Sequence, residues 1–141
     1  MFYRSKTIVV PSCSDRNNKL PIFNDFCVAK VYFKALIDSG ATANIINSCV
    51  FDMLPPHIRQ QRNFSNPNLT SVTGHKLDKR GSIRLDIKRD NRIFPTNFII
   101  CDNLPYEAII GANFLRSNRV LLDVANERLV YPAKVGEEIP T

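Results

Sequence analysis

The sequence of 141 residues has no tryptophan, five glycines and only two histidines, and several familiar catalytic motifs are missing from it. It contains no GxGxxG or GxxxxGKS/T phosphate loop, no HExxH metal motif and no GxSxG nucleophile motif, so the enzyme classes that depend on them are not indicated. His57 and His75 supply too few side chains for a metal site or a Ser/His triad. We interpret both as exposed loop residues.

The four cysteines are too far apart to form a familiar motif. Cys13, Cys27, Cys49 and Cys101 are separated by 14, 22 and 52 residues, which excludes a CxxC redox pair and a zinc knuckle. Free thiols in a reducing compartment are therefore expected. Because no apolar run resembles a signal peptide or reaches membrane-spanning length, the sequence predicts a soluble intracellular protein.

The overall composition is that of an ordinary folded domain, with 44% hydrophobic and 23% charged residues, which excludes disorder, collagen and coiled coil. A chain of this length forms one core, so an active site that needs two lobes must borrow a partner. The net charge of +6 is spread along the chain, and acidic residues interrupt its densest basic stretch, residues 76–92. We interpret these charges as solvated faces, with a nucleic-acid patch as the second interpretation.

Short extended segments dominate the hydrophobic pattern. Residues 7–10 are a β-branched run that Pro11 ends, and residues 11–25 are predicted to be a polar loop. From Cys27 to Asp38, apolar and polar side chains alternate, which predicts one half-buried strand. Further strands are predicted from residue 69 and at residues 82–88, 93–101, 108–110, 120–124 and 128–131.

Two short helical segments interrupt the strands. Residues 48–54 are compatible with one or two turns, with Asn47 as the N-cap and Pro55-Pro56 as a stop. Residues 111–117 are the other helical candidate. Together these elements predict an all-β fold with two small helical pieces.

A carboxylate follows directly on an apolar strand in residues 35–42, ALIDSGAT. A lone carboxylate beside a dry core must be protonated, paired or hydrogen-bonded, so Asp38 is a candidate functional residue. Alternatively, Asp38 and Ser39 simply begin a turn, and the segment alone favours that interpretation. The second half of the chain repeats the pattern, because residues 108–112, AIIGA, echo it after a patterned hairpin with Gly74 at its tip.

This order of elements resembles the retropepsins, the retroviral-type aspartic proteases, and particularly those of retrotransposon Gag-Pol polyproteins. The matching segments are residues 35–46, the flap-like residues 72–75, and residues 107–115. The resemblance implies a closed β-barrel or sandwich with a flap hairpin and one or two short helices, active as a homodimer. Residues 1–141 would then be a single domain, with a core at about 27–131, a loop or insertion at 11–25 and a C-terminal tail at 132–141.

The resemblance also assigns roles to individual residues. Asp38 would be the catalytic acid, and Ser39 would bond across the dyad to its symmetry mate. Gly40 and Ala41 would offer backbone contacts to the substrate, and apolar subsites with Ile45 and Val72 as candidate walls are expected. The flap tip that closes over the peptide would be Val72, Thr73, Gly74 and His75, and the residues packed beneath the active-site loop would be Ile109, Ile110 and Gly111.

The mechanism implied is that of a shared-proton pair. Two Asp38 carboxyls within hydrogen-bond distance cannot both ionise cheaply, so one activates a water while the other polarises the scissile carbonyl. No metal or cofactor is required, and no membrane partner is expected. The implied substrate is the polyprotein that contains the enzyme, and the implied location is the cytoplasm or virus-like particles.

Two other functions remain open from the sequence. The first is a catalytically silent dimerisation or peptide-binding module that keeps the same fold. The second is a nucleic-acid binder, which the net charge and the lysines beside Tyr32 and Phe33 favour, although the strand pattern already explains these residues. A nucleic-acid partner is therefore not expected.

Overall fold

The computed structural model describes residues 7–8, 21–64, 70–71 and 78–133. Within these ranges the chain forms ten strands and three short helices. The strands are β1 (Thr7–Ile8), β2 (Phe23–Val28), β3 (Val31–Ile37), β4 (Asn44–Asn47), β5 (Thr70–Ser71), β6 (Asp78–Arg89), β7 (Arg92–Asp102), β8 (Ala108–Ile110), β9 (Leu121–Asp123) and β10 (Arg128–Val130). The helices are α1 (Ser48–Phe51), α2 (Pro56–Arg59) and α3 (Ala112–Ser117).

Six of the strands close into a barrel in the order β2-β3-β8-β4-β7-β6. Strand β3 runs parallel to β8, with Ile37 opposite Ile110, whereas β4 runs antiparallel to β8. Because β8 lies between β3 and β4, three chain segments converge at one end of the barrel: the residues after β3, those before β4 and those after β8. Outside the barrel, β1 pairs in parallel with β5, and β9 and β10 form an antiparallel hairpin.

The alternating apolar side chains of the barrel strands fill its interior. Phenylalanine rings meet there, with centroids 6.1 Å apart for Phe26 and Phe33 and 5.6 Å apart for Phe94 and Phe114. Burying each such ring stabilises the fold by about 1.5–3 kcal/mol. A second, smaller cluster includes side chains of β3, β4 and β8 together with the loop after β3, and it consists of Leu36, Ala41, Ile45, Cys101, Leu104 and Ile109.

The single strand predicted from Cys27 to Asp38 is wrong, because the chain folds back within it. Strands β2 and β3 form an antiparallel hairpin whose two-residue turn is Ala29 and Lys30, at φ values of 50° and 68°. Hairpin turns of this kind usually carry Asn-Gly or Asp-Gly, so Ala29-Lys30 does not indicate a turn. The predicted loop at residues 11–25 is wrong for its last three residues, which belong to β2.

The Pro55-Pro56 pair, predicted only to end the first helix, also begins a second one. Helix α1 does begin after Asn47, whose side chain accepts a hydrogen bond from the Cys49 amide at 2.8 Å, so the predicted N-cap is confirmed. The second proline, however, opens helix α2, because proline suits the first turn of a helix, where its missing amide hydrogen is not needed. His57 is exposed as expected, but it lies in α2 instead of a loop.

The other predicted elements agree with the structure where it describes them. The alternating residues 82–88 lie in β6, residues 93–101 lie in β7, and the predicted helix at 111–117 is α3. The all-β fold with a closed barrel is therefore confirmed. The predicted flap tip at residues 72–75 and Cys13 lie outside the described residues. In the part of the chain that the structure describes, no helix has the length and apolar character needed to cross a membrane.

Candidate active site

Asp38 is the first residue after β3, at the end of the barrel where the chain segments converge. Its backbone amide donates to the carbonyl of Ile110 at 2.9 Å, which continues the β3–β8 ladder by one step. The strand before it is buried through Ala35, Leu36 and Ile37. The sequence therefore delivers the carboxyl from a core strand into a tight loop, as its apolar run predicted.

Only one of the two oxygens of the buried Asp38 carboxyl has a hydrogen-bond partner among the described residues. Its Oδ1 accepts the Gly40 amide at 3.0 Å, while Oδ2 is buried and has no hydrogen-bond partner among the described residues. Burial raises the pKa of Asp38, and this outweighs the lowering of the pKa by the backbone amides of Gly40 and Ala41. An ordinary turn aspartate sits in water and keeps a low pKa. Asp38 instead has the environment of a carboxyl whose neutral form is favoured.

Within the part of the chain that the structure describes, no charged neighbour offsets that burial. Residues 35–47 and 108–113, which surround the Asp38 loop, contain no ionisable side chain other than Asp38 itself. The nearest acid along β8 is Glu107, whose carboxylate accepts the Lys34 amide at 2.7 Å at the opposite end of that strand. Among the described residues, no group of three His, Cys, Asp or Glu side chains could hold a metal ion.

The segment after β8 closes the site from below. The Ala112 amide donates to the Ala41 carbonyl at 2.7 Å, and Ile109, Ile110 and Gly111 are buried against the Asp38 loop. A Cβ on Gly111 would lie 2.5 Å from the Ala41 carbonyl oxygen, so this position requires glycine for space. The structure thus brings the two repeated sequence segments together.

The remaining predicted site residues differ in accessibility. Ser39 is exposed and Gly40 is half-buried, so both can face a second molecule. Ala41 is fully buried, and its amide and carbonyl already bond to the Asp38 carbonyl and the Ala112 amide. The expected backbone contact from Ala41 to a substrate therefore has no free donor in this chain. Ile45 is also fully buried, so the interpretation of its side chain as a pocket wall is wrong for the single chain.

Asn44 is a site residue that the sequence interpretation missed. It is a buried polar side chain at the start of β4, and its Oδ1 accepts the Gly111 amide at 2.8 Å. The only sequence signal was a polar residue directly before the apolar pair Ile45-Ile46. That signal does not reveal a partner 67 residues away.

Comparison with known families settles the class of protein. A model described as retroviral aspartyl protease matches residues 17–123, which is most of the chain. The chain belongs to the retroviral aspartyl protease family. The resemblance to the retropepsins is thereby confirmed, and residues 38–41 and 108–112 lie inside the matched range.

Three solved structures have the same fold as this chain. The retroviral protease-like domain of Ddi1 from Leishmania major aligns with a TM-score of 0.59 at 19% identity, over 79% of this chain and 87% of that one. The EIAV protease, solved with the inhibitor HBY-793, aligns at 0.56 and 17% identity, over 72% and 90%. A retropepsin-like aspartic protease from Rickettsia conorii aligns at 0.53 and 15% identity, over 77% and 80%. A search of curated proteins gives no match.

Proposed function

We propose that this protein is an aspartic endopeptidase that cleaves extended peptide segments with a water activated by the Asp38 carboxyls of two copies. The observation that carries the proposal is the Asp38 carboxyl itself, with one oxygen bonded to Gly40 and the other buried without a described partner. A second Asp38 carboxyl is a suitable partner, because two adjacent carboxyls share one proton. One chain supplies half of such a pair, and a twofold dimer supplies the whole.

The chemistry then follows from the shared proton. The ionised carboxylate takes a proton from water as the water oxygen attacks the scissile carbonyl carbon, and the neutral carboxyl donates its proton to the carbonyl oxygen. The product is a neutral tetrahedral diol, and no bond forms to the enzyme. The carboxyl that took the water proton then donates it to the amide nitrogen, and the other carboxylate takes a proton from one diol hydroxyl. The C–N bond breaks, and the pair again holds one proton. The raised pKa of Asp38 suits this role, since one carboxyl of the pair must stay neutral at the working pH.

The substrate class follows from the family and the site. An extended peptide would bind through backbone hydrogen bonds as an added strand, with Gly40 as the accessible backbone of the Asp38 loop. The natural substrate we propose is the polyprotein in which the protease is encoded. The test is turnover of an unstructured protein over a range of enzyme concentrations. Activity that rises more steeply than linearly supports an active dimer, whereas a verified dimer without turnover would instead indicate a silent peptide-binding module.

The β9–β10 hairpin supports a dimer interface. Val130 and Leu121 are cross-strand partners on its outer face, and they are 37% and 66% exposed. Adjacent exposed aliphatic side chains on a sheet are typical of a surface that another chain covers. The other terminal strand, predicted at residues 7–10, is described only at Thr7–Ile8, which pairs with β5 of its own chain.

Val130→Asp is expected to give a folded monomer without protease activity, because a carboxylate buried at the interface would lose its hydration. Sedimentation measures the mass, and cleavage of the protein substrate measures the activity. Ile93→Asp is the matched control, since Ile93 is also an exposed aliphatic residue, on β7. If Val130→Asp keeps both the dimer mass and the turnover, this hairpin is not the interface.

Ala41→Ser is expected to move the acid limb of the kcat/KM profile to lower pH. The Ala41 amide already lowers the pKa of Asp38, and a hydroxyl at the same residue would add a donor to the ionised carboxylate. A shift of about one pH unit would correspond to about 1.4 kcal/mol of added stabilisation of the ionised form. Ala43→Ser, the same change two residues along the chain, serves as the control. Superimposable profiles for Ala41→Ser and the native protein would contradict this expectation.

A further inference from the structure

Two backbone hydrogen bonds join the Asp38 loop to the β8–α3 junction. The Asp38 amide bonds to the Ile110 carbonyl at 2.9 Å, and the Ala112 amide bonds to the Ala41 carbonyl at 2.7 Å. These two bonds hold both ends of the loop against residues on either side of Gly111. The position of Gly111 therefore determines where the loop, and with it the Asp38 carboxyl, is placed.

The Gly111 amide is held by one side chain, that of Asn44. Its Oδ1 accepts the Gly111 amide hydrogen at 2.8 Å, while its Nδ2 donates to the Asn97 carbonyl at 3.2 Å on β7. The amide orientation is unambiguous, because a backbone amide can only donate and a backbone carbonyl can only accept. Asn44 needs both functions at once, which a hydrophobic residue of the same size cannot supply.

The Gly111 carbonyl accepts the Leu115 amide of α3 at 3.4 Å, but among the described residues neither the β4–β8 ladder nor a helix cap provides a second partner for the Gly111 amide. The β4–β8 ladder pairs Ile45 with Ile109 and Ile46 with Ala108, so Gly111 lies beyond the end of this ladder. Gly111 is also the residue before α3, and no side chain caps that helix start. Removing the Asn44 acceptor would leave a buried amide hydrogen unsatisfied directly beneath the catalytic loop.

We propose that Asn44 is a positioning residue that holds the Asp38 loop in its reactive geometry, a role that rests on the proposed protease activity. Asn44 does not touch the reacting atoms. It acts through Gly111, whose neighbours hold the loop at Asp38 and Ala41. A shift of the loop would weaken the 3.0 Å bond from the Gly40 amide to the Asp38 carboxylate. Because burial would persist, the titration of Asp38 would move to higher pH.

The surroundings make that titration a clean signal. The end of β3, the start of β4 and the β8–α3 junction pack against the loop, and their residues 35–47 and 108–113 contain Asp38 as their sole ionisable side chain. The titratable groups that pack beside the loop from elsewhere are the Cys101 thiol of β7 and the partly buried Tyr106. Since both are present in every variant at position 44, a change in the Asp38 titration is assigned to the loop by comparison with a control variant outside the site.

The experiment compares Asn44→Leu with Asn24→Leu in the dimeric protein. Asn24 is the matched control, because it is equally buried at 9% exposure and its side chain bonds Phe23 and Tyr131 but no residue of the catalytic loop. Asn44→Leu is expected to lower kcat about 10- to 100-fold with little change in KM, as misplacement of a catalytic group does. Carbon-detected NMR of the Asp38 carboxyl should show its titration shifted to higher pH. Asn24→Leu should change neither quantity.

A second variant keeps the test valid if Asn44→Leu does not fold. In Asn44→Asp the neutral carboxyl has an acceptor and a donor in the same places as the amide, so activity should be near native at acidic pH. As that carboxyl ionises, it loses its donor towards the Asn97 carbonyl, so the alkaline limb of activity should fall at lower pH than in the native protein. A profile that superimposes on the native one would overturn the proposal.

The two proposals can fail separately. If the native dimer shows no turnover, the proposed function is wrong, but the NMR titration still decides the role of Asn44. A shift in Asn44→Leu that is absent in Asn24→Leu supports positioning of the Asp38 loop. A folded Asn44→Leu dimer with native kcat and native Asp38 titration would show that Asn44 is structural only.

Discussion

Replacing Asp38 by Asn is expected to abolish cleavage of an unstructured protein substrate, with a loss of about 10⁴-fold or more in kcat. An amide can neither take a proton from water nor donate an acidic proton to the carbonyl oxygen, so both general acid and general base functions are lost. The change is nearly isosteric, and the amide oxygen can still accept the Gly40 amide hydrogen that now bonds to Oδ1. Asp86→Asn, an exposed position on β6, is the control and should retain full activity.

The thermal stability of Asp38→Asn provides a second test, because we expect Tm to be unchanged or higher although activity is lost. Burial raises the pKa of Asp38 in the folded chain, so the ionised carboxylate costs stability once the pH rises above the ordinary aspartate value of about 4. Asp38→Asn removes that cost. Its Tm should match or exceed the native value at pH 7, and the advantage should disappear below about pH 4, where Asp38 is neutral in both folded and unfolded states.

These two measurements separate a catalytic loss from a folding loss. Thermal unfolding at the two pH values and sedimentation mass should accompany the activity assay on each variant. An inactive Asp38→Asn with native mass and unreduced Tm supports a catalytic role. Retained turnover would show that another group performs the chemistry, and a large drop in Tm at neutral pH would show that the ionised carboxylate stabilises the fold.

Gly111→Ala is expected to destabilise the chain by about 3 kcal/mol and to remove protease activity. The reason is steric and not conformational, because the φ of −100° at Gly111 is accessible to alanine. The added Cβ would lie 2.5 Å from the Ala41 carbonyl oxygen and 2.7 Å from that of Ala43. Both atoms belong to the backbone, so the methyl group can be accommodated only by displacing the Asp38 loop.

Denaturant unfolding measures the change in the free energy of unfolding. Ala112→Ser adds one heavy atom at the next residue, which is half-buried, and should change the free energy of unfolding by less than about 1 kcal/mol. If Gly111→Ala were as stable as this control and retained activity, the contact between the loop and the β8–α3 junction would be looser than the structure shows.

Local patterns in the sequence predicted the elements whose signals are local. Alternation along residues 82–88 and 93–101 predicted strands β6 and β7, because a sheet with one buried face imposes a period of two. Asn47 predicted the start of α1, because its side chain bonds an amide only two residues away. The β2–β3 turn was missed since Ala29 and Lys30 adopt a left-handed conformation that their residue types do not signal.

The candidate site was predictable only in part. Asp38 could be identified because an apolar strand leads directly to an acid and a Ser-Gly turn. The roles of Ala41 and Asn44 could not be predicted, because accessibility and partners depend on residues far along the chain. The Ala41 carbonyl is occupied by a hydrogen bond from the Ala112 amide, and the Asn44 side chain bonds to Gly111, which lies 67 residues later in the sequence.

The sequence by itself determined the resemblance to the family and the carboxylate on which the proposed function depends. One Asp-Ser-Gly triplet in a chain of 141 residues supplies one acid, and these facts depend only on the order of residues. Tertiary structure decided how that acid is tuned. Strands β3 and β4 pair with opposite edges of β8, and this arrangement buries the Asp38 carboxyl. It also packs Gly111 against the Asp38 loop and brings the Asn44 side chain within hydrogen-bond distance of the Gly111 amide. The pKa of a carboxyl depends on burial and nearby donors, and only the folded chain brings these together.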